Sequence, residues 1–317
     1  MLGVFLDIDS LDRGDLDLSG LKAVLPEWRF FGHSCPEEVT GRLASAQVAV
    51  SNKVALEAAH FQALGDLRLV CVSATGTDNI DVAGAAARGI RVCNVRGYAS
   101  PSVTQHVFCL LLALVTRLPE YMRAVRGGRW QGSRDFCLLD YPIGELAGKI
   151  LGIVGYGELG RSVAKVAQAF GMHVLIAARP GSPEMEGRVA LPDLLPQVDV
   201  LTLHCPLAGN TRGLIGAAEL AAMKPGALLI NTARGGIVDE HALAHALKSG
   251  HLGGAGVDVL AVEPPGEDSP LLARDIPNLI VTPHIAWASR EARQRLVDEV
   301  ALNIRAWASG EPRNLVT

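Results

Sequence analysis

The sequence lacks the cysteine patterns that mark several specialised protein classes. Its six cysteines are scattered singly along 317 residues and form no C-x-x-C pair. Neither a zinc knuckle nor a disulfide framework is therefore predicted. Thiols that have no partner in the sequence pattern are typical of proteins from a reducing environment, and we expect a cytoplasmic location.

No charge of one sign dominates, and long hydrophobic runs are missing. Twenty-nine basic residues stand against thirty-three acidic ones, so neither nucleic acid nor an anionic membrane is predicted as a partner. The longest apolar run, Val107 to Val115, has nine residues, well short of the ~18 that span a bilayer, and is expected to form a buried helix. Residues 1–9 contain no basic segment and predict a first strand rather than a targeting signal.

The sequence does contain short apolar strands that alternate with helical stretches. A first series of strands is predicted at Val4–Leu6, Trp28–Phe31, Val48–Val50, Leu69–Val72 and Arg91–Cys93. A second series is predicted at Ile150–Val154, His173–Ala177, Val200–Leu203, Leu228–Asn231, Ala255–Val259 and Leu279–Thr282. This alternation predicts an α/β fold with two Rossmann-like or flavodoxin-like domains, each with a parallel sheet, and a cleft between them.

Two helical segments set the predicted domain boundaries. Ser100 to Arg126 lies between the two series of strands and is expected to cross from one domain to the other. Ser289 to Ala308 repeats apolar residues at spacings of three and four, which is typical of an amphipathic helix, and it has no sheet of its own. We therefore predict a substrate domain from residues 1–100 plus 286–317, and a dinucleotide-binding domain from residues 101–285.

A glycine-rich loop supports the second assignment. Gly155-Tyr156-Gly157-Glu158-Leu159-Gly160 follows a predicted strand and precedes a predicted helix. In such a loop the first glycine permits a tight turn, the second lets the backbone approach a pyrophosphate, and the third lets the helix pack on the strand. Turn formation alone is the simpler explanation of the glycines, but their position between strand and helix favours dinucleotide binding.

The position that usually distinguishes NAD from NADP has an unusual residue in this sequence. An acidic residue about twenty positions after such a loop usually binds the adenosine ribose, but here the second strand is followed by Ala178 and Arg179. A 2′-phosphate would meet positive charge at this point, so NAD or NADP is predicted, with NADP slightly favoured. Arg179 as an ordinary solvated side chain remains the alternative.

Three polar residues follow three strands of the second series. Arg234, Glu263 and His284 come after the strands that begin at Leu228, Ala255 and Leu279. The carboxyl ends of parallel strands form the ligand-binding edge of an open sheet, so the three side chains are expected to converge. Reduction of a keto acid needs a cation for the carboxylate, which suits Arg234, and a proton donor for the carbonyl oxygen, which suits His284. Glu263 would hydrogen-bond His284 and favour its protonated form.

Each of these residues also has a structural explanation. Arg234 could form an ion pair, Glu263 could lie on a solvated loop, and His284 could be a core histidine, but their complementary roles at one sheet edge favour catalysis. His241 and His245 lie four residues apart on a predicted helix and could bind a metal as a pair. No neighbouring motif supplies further ligands, so no metal site is predicted.

The chain resembles the D-isomer-specific 2-hydroxyacid dehydrogenases over nearly its whole length. The resemblance is carried by residues 155–160, Thr202 to Leu207, Asn231 to Gly235, Asp258-Val259 with Glu263-Pro264, and Thr282-Pro283-His284. It implies an NAD(P)-dependent oxidoreductase in which Arg234, Glu263 and His284 are catalytic. A corepressor-like protein that senses NAD(H) without turnover is the alternative, because fold alone does not determine function.

The resemblance also implies binding residues at matching positions. Those for the cofactor are Thr104, Gly155, Gly157, Glu158, Leu159, Gly160, Ala178, Arg179, His204, Cys205, Pro206, Thr211, Thr232, Ala233, Arg234, Asp258 and His284. Those for the substrate are Asn52, Ala74, Thr75, Gly76, Arg234, His284 and Trp287. In the family, backbone N–H groups at positions equivalent to residues 74–76 bind the substrate carboxylate.

Within the family, the chain is most similar to the glycerate dehydrogenase/hydroxypyruvate reductase branch. The similarity lies in residues 51–54, 74–81, 97–98 and 284–289, and it implies a small 2-keto or 2-hydroxy acid as substrate, hydroxypyruvate or glyoxylate above all. It also implies a homodimer, with the apolar helix from Ser100 to Arg126 packed against the partner copy. Ala178, Glu158 and Arg96 depart from the usual pattern of this branch.

Overall fold

The computed structural model describes residues 1–179 and 186–316, which divide into two compact units. The strands in this part of the chain are β1 (Leu2–Phe5), β2 (Glu27–Phe30), β3 (Val48–Ser51), β4 (Leu69–Val72), β5 (Arg91–Cys93), β6 (Ile150–Val154), β7 (His173–Ile176), β8 (Val200–Leu203), β9 (Leu228–Asn231), β10 (Gly254–Val257) and β11 (Leu279–Val281). The α-helices are α1 (Ser19–Lys22), α2 (Pro36–Leu43), α3 (Ala58–Ala63), α4 (Val82–Ala87), α5 (Ser100–Val115), α6 (Leu118–Arg126), α7 (Glu158–Ala169), α8 (Leu191–Leu194), α9 (Ala217–Ala222), α10 (Glu240–Lys248) and α11 (Arg290–Ala308).

The first unit, Met1–Ala99 with Trp287–Thr317, contains a parallel sheet in the order β2-β1-β3-β4-β5. Strands β1, β3 and β4 are buried along their whole length, as expected of parallel strands that are covered on both faces. The edge strand β2 is only partly buried, and it carries Glu27 and Arg29 outward. On one face α11 places Leu296, Val300 and Ile304 in the same apolar cluster as the strand residues.

The second unit, Ser100–Ala286, contains a parallel sheet in the order β11-β10-β9-β8-β6-β7. The order reverses between β6 and β8, and β9, β10 and β11 lie side by side at one edge. The residues that follow these three strands therefore lie at one end of the sheet. The predicted α/β class with two parallel sheets is confirmed, and the predicted strands differ from the observed ones by one or two residues at their ends.

The prediction of one continuous helix from Ser100 to Arg126 is wrong. The helix ends at Val115, Arg117 takes a left-handed φ of 56°, and α6 then runs at 62° to α5. Most apolar side chains of α5 are buried within the second unit. No single helix in residues 1–179 and 186–316 is long and apolar enough to cross a membrane, and only the bent pair α5–α6 would pass that test when taken together.

The packing of α11 generates a prediction on stability. Leu296 is fully buried in the apolar cluster of the first unit, so we expect Leu296→Ala to lower the free energy of unfolding by about 2–5 kcal/mol through lost burial and a cavity. Leu302 lies on the same helix but is 40% exposed, and Leu302→Ala should cost no more than about 0.5 kcal/mol. Urea denaturation of both variants measures the difference, and equal losses would contradict the packing described for α11.

Candidate functional site

The glycine loop connects β6 to α7, and its three glycines are needed for different reasons. Gly155 has a φ of 94°, and a Cβ there would lie 2.6 Å from the backbone nitrogen of Cys205. A Cβ on Gly160 would collide with the carbonyl oxygen of Gly155. Gly157, in contrast, faces open space, because a Cβ at this position would have no neighbouring atom within 4 Å. Packing therefore requires the first and third glycines, and the second leaves room for a phosphate.

Two further features fit a nicotinamide dinucleotide at this loop. The twelve-residue helix α7 begins directly after Gly157, so its first N–H groups have no partner inside the helix and attract an anion. The hydroxyl of Thr232 is buried and has no hydrogen-bond partner among residues 1–179 and 186–316, which is the state expected of a group that a ligand satisfies. The residues present therefore fit the cofactor that the sequence predicts.

The residues after β7 are more basic than the sequence pattern indicates. Ala178 is half-buried and Arg179 is exposed at the end of the strand. Arg188 returns to the same point: its guanidinium carbon lies 5.1 Å from the ring centre of Tyr156, and its Nη1 lies 3.4 Å from the carbonyl oxygen of Ala177. Arg188 was missed because the bridge that pairs its neighbour Val189 with Ala177 is a tertiary contact without a sequence motif.

Three predicted cofactor residues, Thr104, Thr211 and Glu158, form side-chain hydrogen bonds that hold neighbouring segments of the protein. Thr104 on α5 donates to Ser162 at 2.9 Å, and Thr211 donates to the carbonyl oxygen of Pro206 at 2.6 Å. Glu158 accepts a 2.6 Å hydrogen bond from Ser100. Their contribution to this site is therefore the placement of α7 and of the loop after β8, and the Glu158 carboxylate is partly compensated by the Ser100 hydroxyl.

The loop after β8 lies directly behind the first glycine. His204 and Cys205 provide the backbone atoms nearest to Gly155, and the His204 Nε2 lies 3.0 Å from Thr202 Oγ1. Burial lowers the pKa of His204 to about 4, so its ring is neutral at neutral pH. Burial also raises the pKa of the Cys205 thiol. Both predicted residues therefore add no charge next to the glycine loop.

Glu263 and His284 are in direct contact. His284 Nδ1 lies 2.6 Å from Glu263 Oε2, and the second carboxylate oxygen of Glu263 accepts from the backbone N–H of Leu260 at 2.8 Å. A carboxylate accepts and does not donate when ionised, so Nδ1 carries the proton in this pair. The opposite nitrogen, Nε2, is then the atom that can exchange a proton with a substrate.

Arg234 lies on the loop after β9, next to the loop that carries Glu263. The Asn231 side chain fixes this turn, because it donates to the carbonyl oxygen of Arg234 at 3.0 Å and accepts from the Ala233 N–H at 3.1 Å. A Cβ on Gly235 would collide with the backbone at Leu260, so the two loops touch. The structure thus brings Glu263 and His284 into contact and places Arg234 on the adjoining loop.

A buried carboxylate holds the backbone around His284. Asp258 is 1% exposed, and its two oxygens accept from the N–H groups of Ile285 at 2.9 Å and Ala286 at 2.8 Å. Its main-chain oxygen accepts from the His284 N–H at 2.8 Å. His284 itself has a φ of 54°, a left-handed conformation that costs a non-glycine residue about 1–2 kcal/mol. These bonds offset that cost and fix the backbone from which the imidazole extends.

The predicted substrate residue Asn52 belongs to the first unit. It follows β3, and its backbone N–H and those of Lys53 and Val54 all point to the buried carboxylate of Asp7, at 2.7–3.2 Å. The Asn52 side chain donates to Ser10 at 2.9 Å. Asp7 was not singled out from the sequence, because only the folded sheet brings the end of β1 beside the end of β3.

The predicted residues Ala74, Thr75 and Gly76 follow the neighbouring strand β4. The Thr75 hydroxyl donates to the carbonyl oxygen of Val95 at 2.8 Å, and the Thr75 carbonyl oxygen accepts from the Asn94 side chain at 2.6 Å. These bonds fix the loop through its side chain and carbonyl. Trp287, also in the first unit, packs edge-on against Tyr98 with 6.4 Å between ring centres.

The pair His241 and His245 remains without further ligands. Both lie on α10, and residues 1–179 and 186–316 contain no group of three or more His, Cys, Asp or Glu side chains that could hold a metal ion. The backbone N–H of His241 donates to Asp239, which caps the helix.

Comparison with known proteins agrees with the geometry. A family model for the NAD binding domain of the D-isomer specific 2-hydroxyacid dehydrogenases matches residues 108–286. Glycerate dehydrogenase from Methylorubrum extorquens is 49% identical over 308 residues, which is 96% of this chain and 97% of that protein. Hydroxypyruvate reductase from Blautia hydrogenotrophica is 39% identical over 320 residues, covering 99% of this chain and 98% of that protein.

A solved structure of similar architecture contains a bound cofactor. The NADPH-dependent glyoxylate/hydroxypyruvate reductase from Sinorhizobium meliloti, in complex with NADP and malonate, has a TM-score of 0.83 at 29% identity and covers 100% of this chain and 96% of that one. The family model, the two relatives and the glycine loop point in the same direction. The chain therefore belongs to the family of D-isomer-specific 2-hydroxyacid dehydrogenases, NAD(P)-dependent oxidoreductases that act on the CH–OH group of 2-hydroxy acids.

Proposed function

We propose that this protein reduces glyoxylate or hydroxypyruvate to the corresponding 2-hydroxy acid, with Arg234, Glu263 and His284 as its catalytic residues. The observation that carries the proposal is the 2.6 Å contact between His284 and Glu263 at the end of the sheet where the glycine loop lies. The names of the relatives support the substrate class, since they include glycerate dehydrogenase, hydroxypyruvate reductase and glyoxylate/hydroxypyruvate reductase.

His284 would act as the proton donor. In the reductive direction the hydride for the carbonyl carbon of the substrate would come from NAD(P)H, when this cofactor is bound. His284 Nε2 gives its proton to the carbonyl oxygen, which becomes the hydroxyl, and the ring is left neutral until it takes a proton from solvent. Glu263 accepts from Nδ1, so Nε2 remains the nitrogen that exchanges the proton. In oxidation the same nitrogen takes the proton back.

Arg234 would bind the substrate carboxylate. A guanidinium can hold a carboxylate in two-point geometry, and Arg234 is half-buried beside the Glu263 loop. We assign the backbone of Ala74, Thr75 and Gly76, with Asn52 and Trp287, to substrate binding by family resemblance. Residues 1–100 and 286–317 would thus form the substrate domain, and residues 101–285 the dinucleotide-binding domain. The six cysteines are free thiols, in accord with the cytoplasmic location that we propose.

A steady-state assay tests the function and the role of His284 together. We expect turnover of glyoxylate and hydroxypyruvate, and we expect His284→Ala to lower kcat by about 10²–10⁴-fold because it removes the proton donor. The affinity for the reduced cofactor, measured by its fluorescence, should change little. His251→Ala is a matched control, since His251 bonds to the carbonyl oxygen of Leu220 and lies outside the site.

Two results would contradict this proposal. The absence of turnover across a panel of 2-keto acids would favour a protein that senses the dinucleotide without catalysis. Near-normal kcat in His284→Ala would reject the proton-donor role even if the wild-type protein is active.

We further propose that the enzyme prefers NADPH to NADH. Ala178 leaves the end of β7 without the carboxylate that would repel a 2′-phosphate. The exposed Arg179 follows it in the sequence, and the Arg188 guanidinium lies beside the Ala177 carbonyl oxygen. The stacking of Arg188 on Tyr156 fixes it beside the glycine loop. The similar reductase from Sinorhizobium meliloti is itself NADPH-dependent.

This arrangement predicts how kcat/KM for NADPH and for NADH responds to the loss of each arginine. We expect Arg179→Ala and Arg188→Ala each to lower kcat/KM for NADPH by about 10–100-fold, as the loss of a charge-assisted hydrogen bond predicts. The value for NADH should change by less than about threefold, because NADH has no 2′-phosphate. Arg91→Ala, an exposed arginine on β5, is the control. A wild-type protein with a strong preference for NADH would overturn the proposal.

We propose a homodimer whose contact surface includes α6, the second part of the segment Ser100 to Arg126 that the sequence predicts at the contact, and not the apolar side of α5. The apolar side of α5 is buried within the second unit and is not available to a partner. Large apolar side chains are exposed instead on α6 and the segment that follows it: Leu118, Met122, Val125, Trp130, Phe136, Leu139 and Ile143. Phe136 is 91% exposed and Leu139 84%, so a second copy that covers this surface would remove much apolar area from water.

Light scattering on size-separated protein tests the dimer. We expect twice the 33.5 kDa chain mass for the wild type. We expect a shift toward the monomer in the double variant Phe136→Asp/Leu139→Asp, because two buried charges would destabilise an apolar contact. Leu302→Asp, on the exposed side of α11, should leave the mass unchanged. A wild-type protein that is monomeric at all concentrations would refute the proposal.

A further inference from the structure

We propose that His106 on α5 is a positioning residue for the catalytic loop, the segment after β11 that carries His284. His106 orients the Thr282 hydroxyl, and this hydroxyl in turn fixes the Asp258 carboxylate that binds the backbone of the loop. This inference rests on the proposed proton-donor role of His284. His106 is neither in the glycine loop nor directly after a strand. The sequence pattern therefore predicts no role for it.

The three groups form a continuous chain of contacts. His106 Nε2 lies 2.9 Å from Thr282 Oγ1, and Thr282 Oγ1 lies 2.5 Å from Asp258 Oδ1. The direct distance from His106 Nε2 to Asp258 Oδ1 is 3.5 Å. The Asp258 side chain is 1% exposed and that of His106 16%, so water competes little for these bonds.

The geometry determines the direction of each hydrogen bond. A hydroxyl has one proton, and a 2.5 Å distance to a carboxylate oxygen is typical of an O–H group that donates to it. Thr282 has then no proton left for the imidazole and can only accept from His106. Nε2 of His106 must therefore carry a hydrogen, which points at Thr282 and, at longer range, at the carboxylate.

The chain of contacts ends on the backbone of the catalytic loop. Asp258 Oδ1, the oxygen that Thr282 binds, also accepts from the Ile285 N–H, and Oδ2 accepts from the Ala286 N–H. If Thr282 no longer held Oδ1, the carboxylate could rotate and these two bonds would lengthen. His284 is the residue just before Ile285 and has a strained φ, so its ring would lose its fixed direction.

His106 lies on a helix that packs against several elements of the candidate site. α5 packs across β9, β10 and β11, the three strands whose following loops carry Arg234, Glu263 and His284. Its other side contacts α7, which begins at the glycine loop. A side chain anchored on this helix therefore holds the catalytic loop relative to the sheet edge and to the loop that binds the cofactor.

Variants at His106 separate positioning from folding. We expect His106→Leu, which keeps bulk but removes the donor, to lower kcat for glyoxylate by about 10–100-fold with KM changed by less than about threefold, since misplaced catalytic groups cost turnover more than binding. His106→Gln, which returns an N–H donor at a similar distance, should recover most of that loss. His251→Leu loses a histidine hydrogen bond of 3.0 Å elsewhere in the same unit and should keep wild-type kcat.

A double-mutant cycle tests the connection through Thr282. If both residues act through one chain of bonds, His106→Leu/Thr282→Val should have the kcat of the worse single variant and not the product of the two losses. Three results would overturn the proposal: wild-type kcat in His106→Leu, no recovery in His106→Gln, or independent losses in the cycle. Wild-type kcat in His106→Leu together with an inactive His284→Ala would reject this inference and leave the proposed function intact.

A measurement that needs no turnover provides a second test. In protein labelled with ¹⁵N-histidine, the resonance of His106 Nε2 is assigned by its loss in His106→Gln. We expect an amine-type shift, which reports a bound hydrogen, and we expect this shift to move in Thr282→Val. An imine-type shift at Nε2 would overturn the proposal whatever the activity of the protein.

Discussion

The candidate site depends on one buried carboxylate. Asp258 accepts hydrogen bonds from the backbone that follows His284 and from the Thr282 hydroxyl that precedes it, so the loop from β11 is closed around a single charge. A buried charge is costly unless donors surround it, and here the donors come from the segment that carries His284. The need to satisfy this charge and the need to hold the imidazole are therefore met by the same bonds.

In the glycine loop, the important feature is the absence of side chains. At Gly155 and Gly160 the backbone of neighbouring segments leaves no room for a side chain, whereas Gly157 borders an open region. Close packing thus brings the start of α7 and the loop after β8 together, and the one unfilled position coincides with unpaired helix N–H groups. Like these N–H groups, the hydroxyl of Thr232 has no hydrogen-bond partner in the described part of the chain, although it is buried. Both features are explained by a ligand that carries phosphate and amide groups.

Much of the fold follows from local sequence, and the exceptions have physical reasons. Continuous apolar runs such as Leu69–Val72 predict buried parallel strands, and these are confirmed. The break at Arg117 was missed because a left-handed arginine has no sequence signature, and the bend directs α6 away from α5. The segment Ser100 to Arg126 is expected at a dimer surface. Most apolar residues of its first part, α5, are buried, and its exposed large apolar side chains lie on its second part, α6.

The same limit applies to the candidate site. Arg234, Glu263 and His284 could be predicted because each follows a strand of one sheet, and their catalytic roles remain predictions. His106 and Arg188 could not be predicted, since each reaches its partners only through tertiary packing. Asp7 is a similar case, because the three residues whose backbone N–H groups bind it come more than forty residues after it in the sequence.

The discontinuity of the first unit has a consequence for biosynthesis. Strands β1 to β5 leave the ribosome early, but the helix α11, which packs on β4 and shares an apolar cluster with Phe5 and Val50, comes only after all of residues 100–286. The inserted unit can therefore complete its own core while the earlier one is still open on one face. The first unit would then complete its folding after the second, although its strands are translated first, and residues 1–99 would be the part that chaperones must shield.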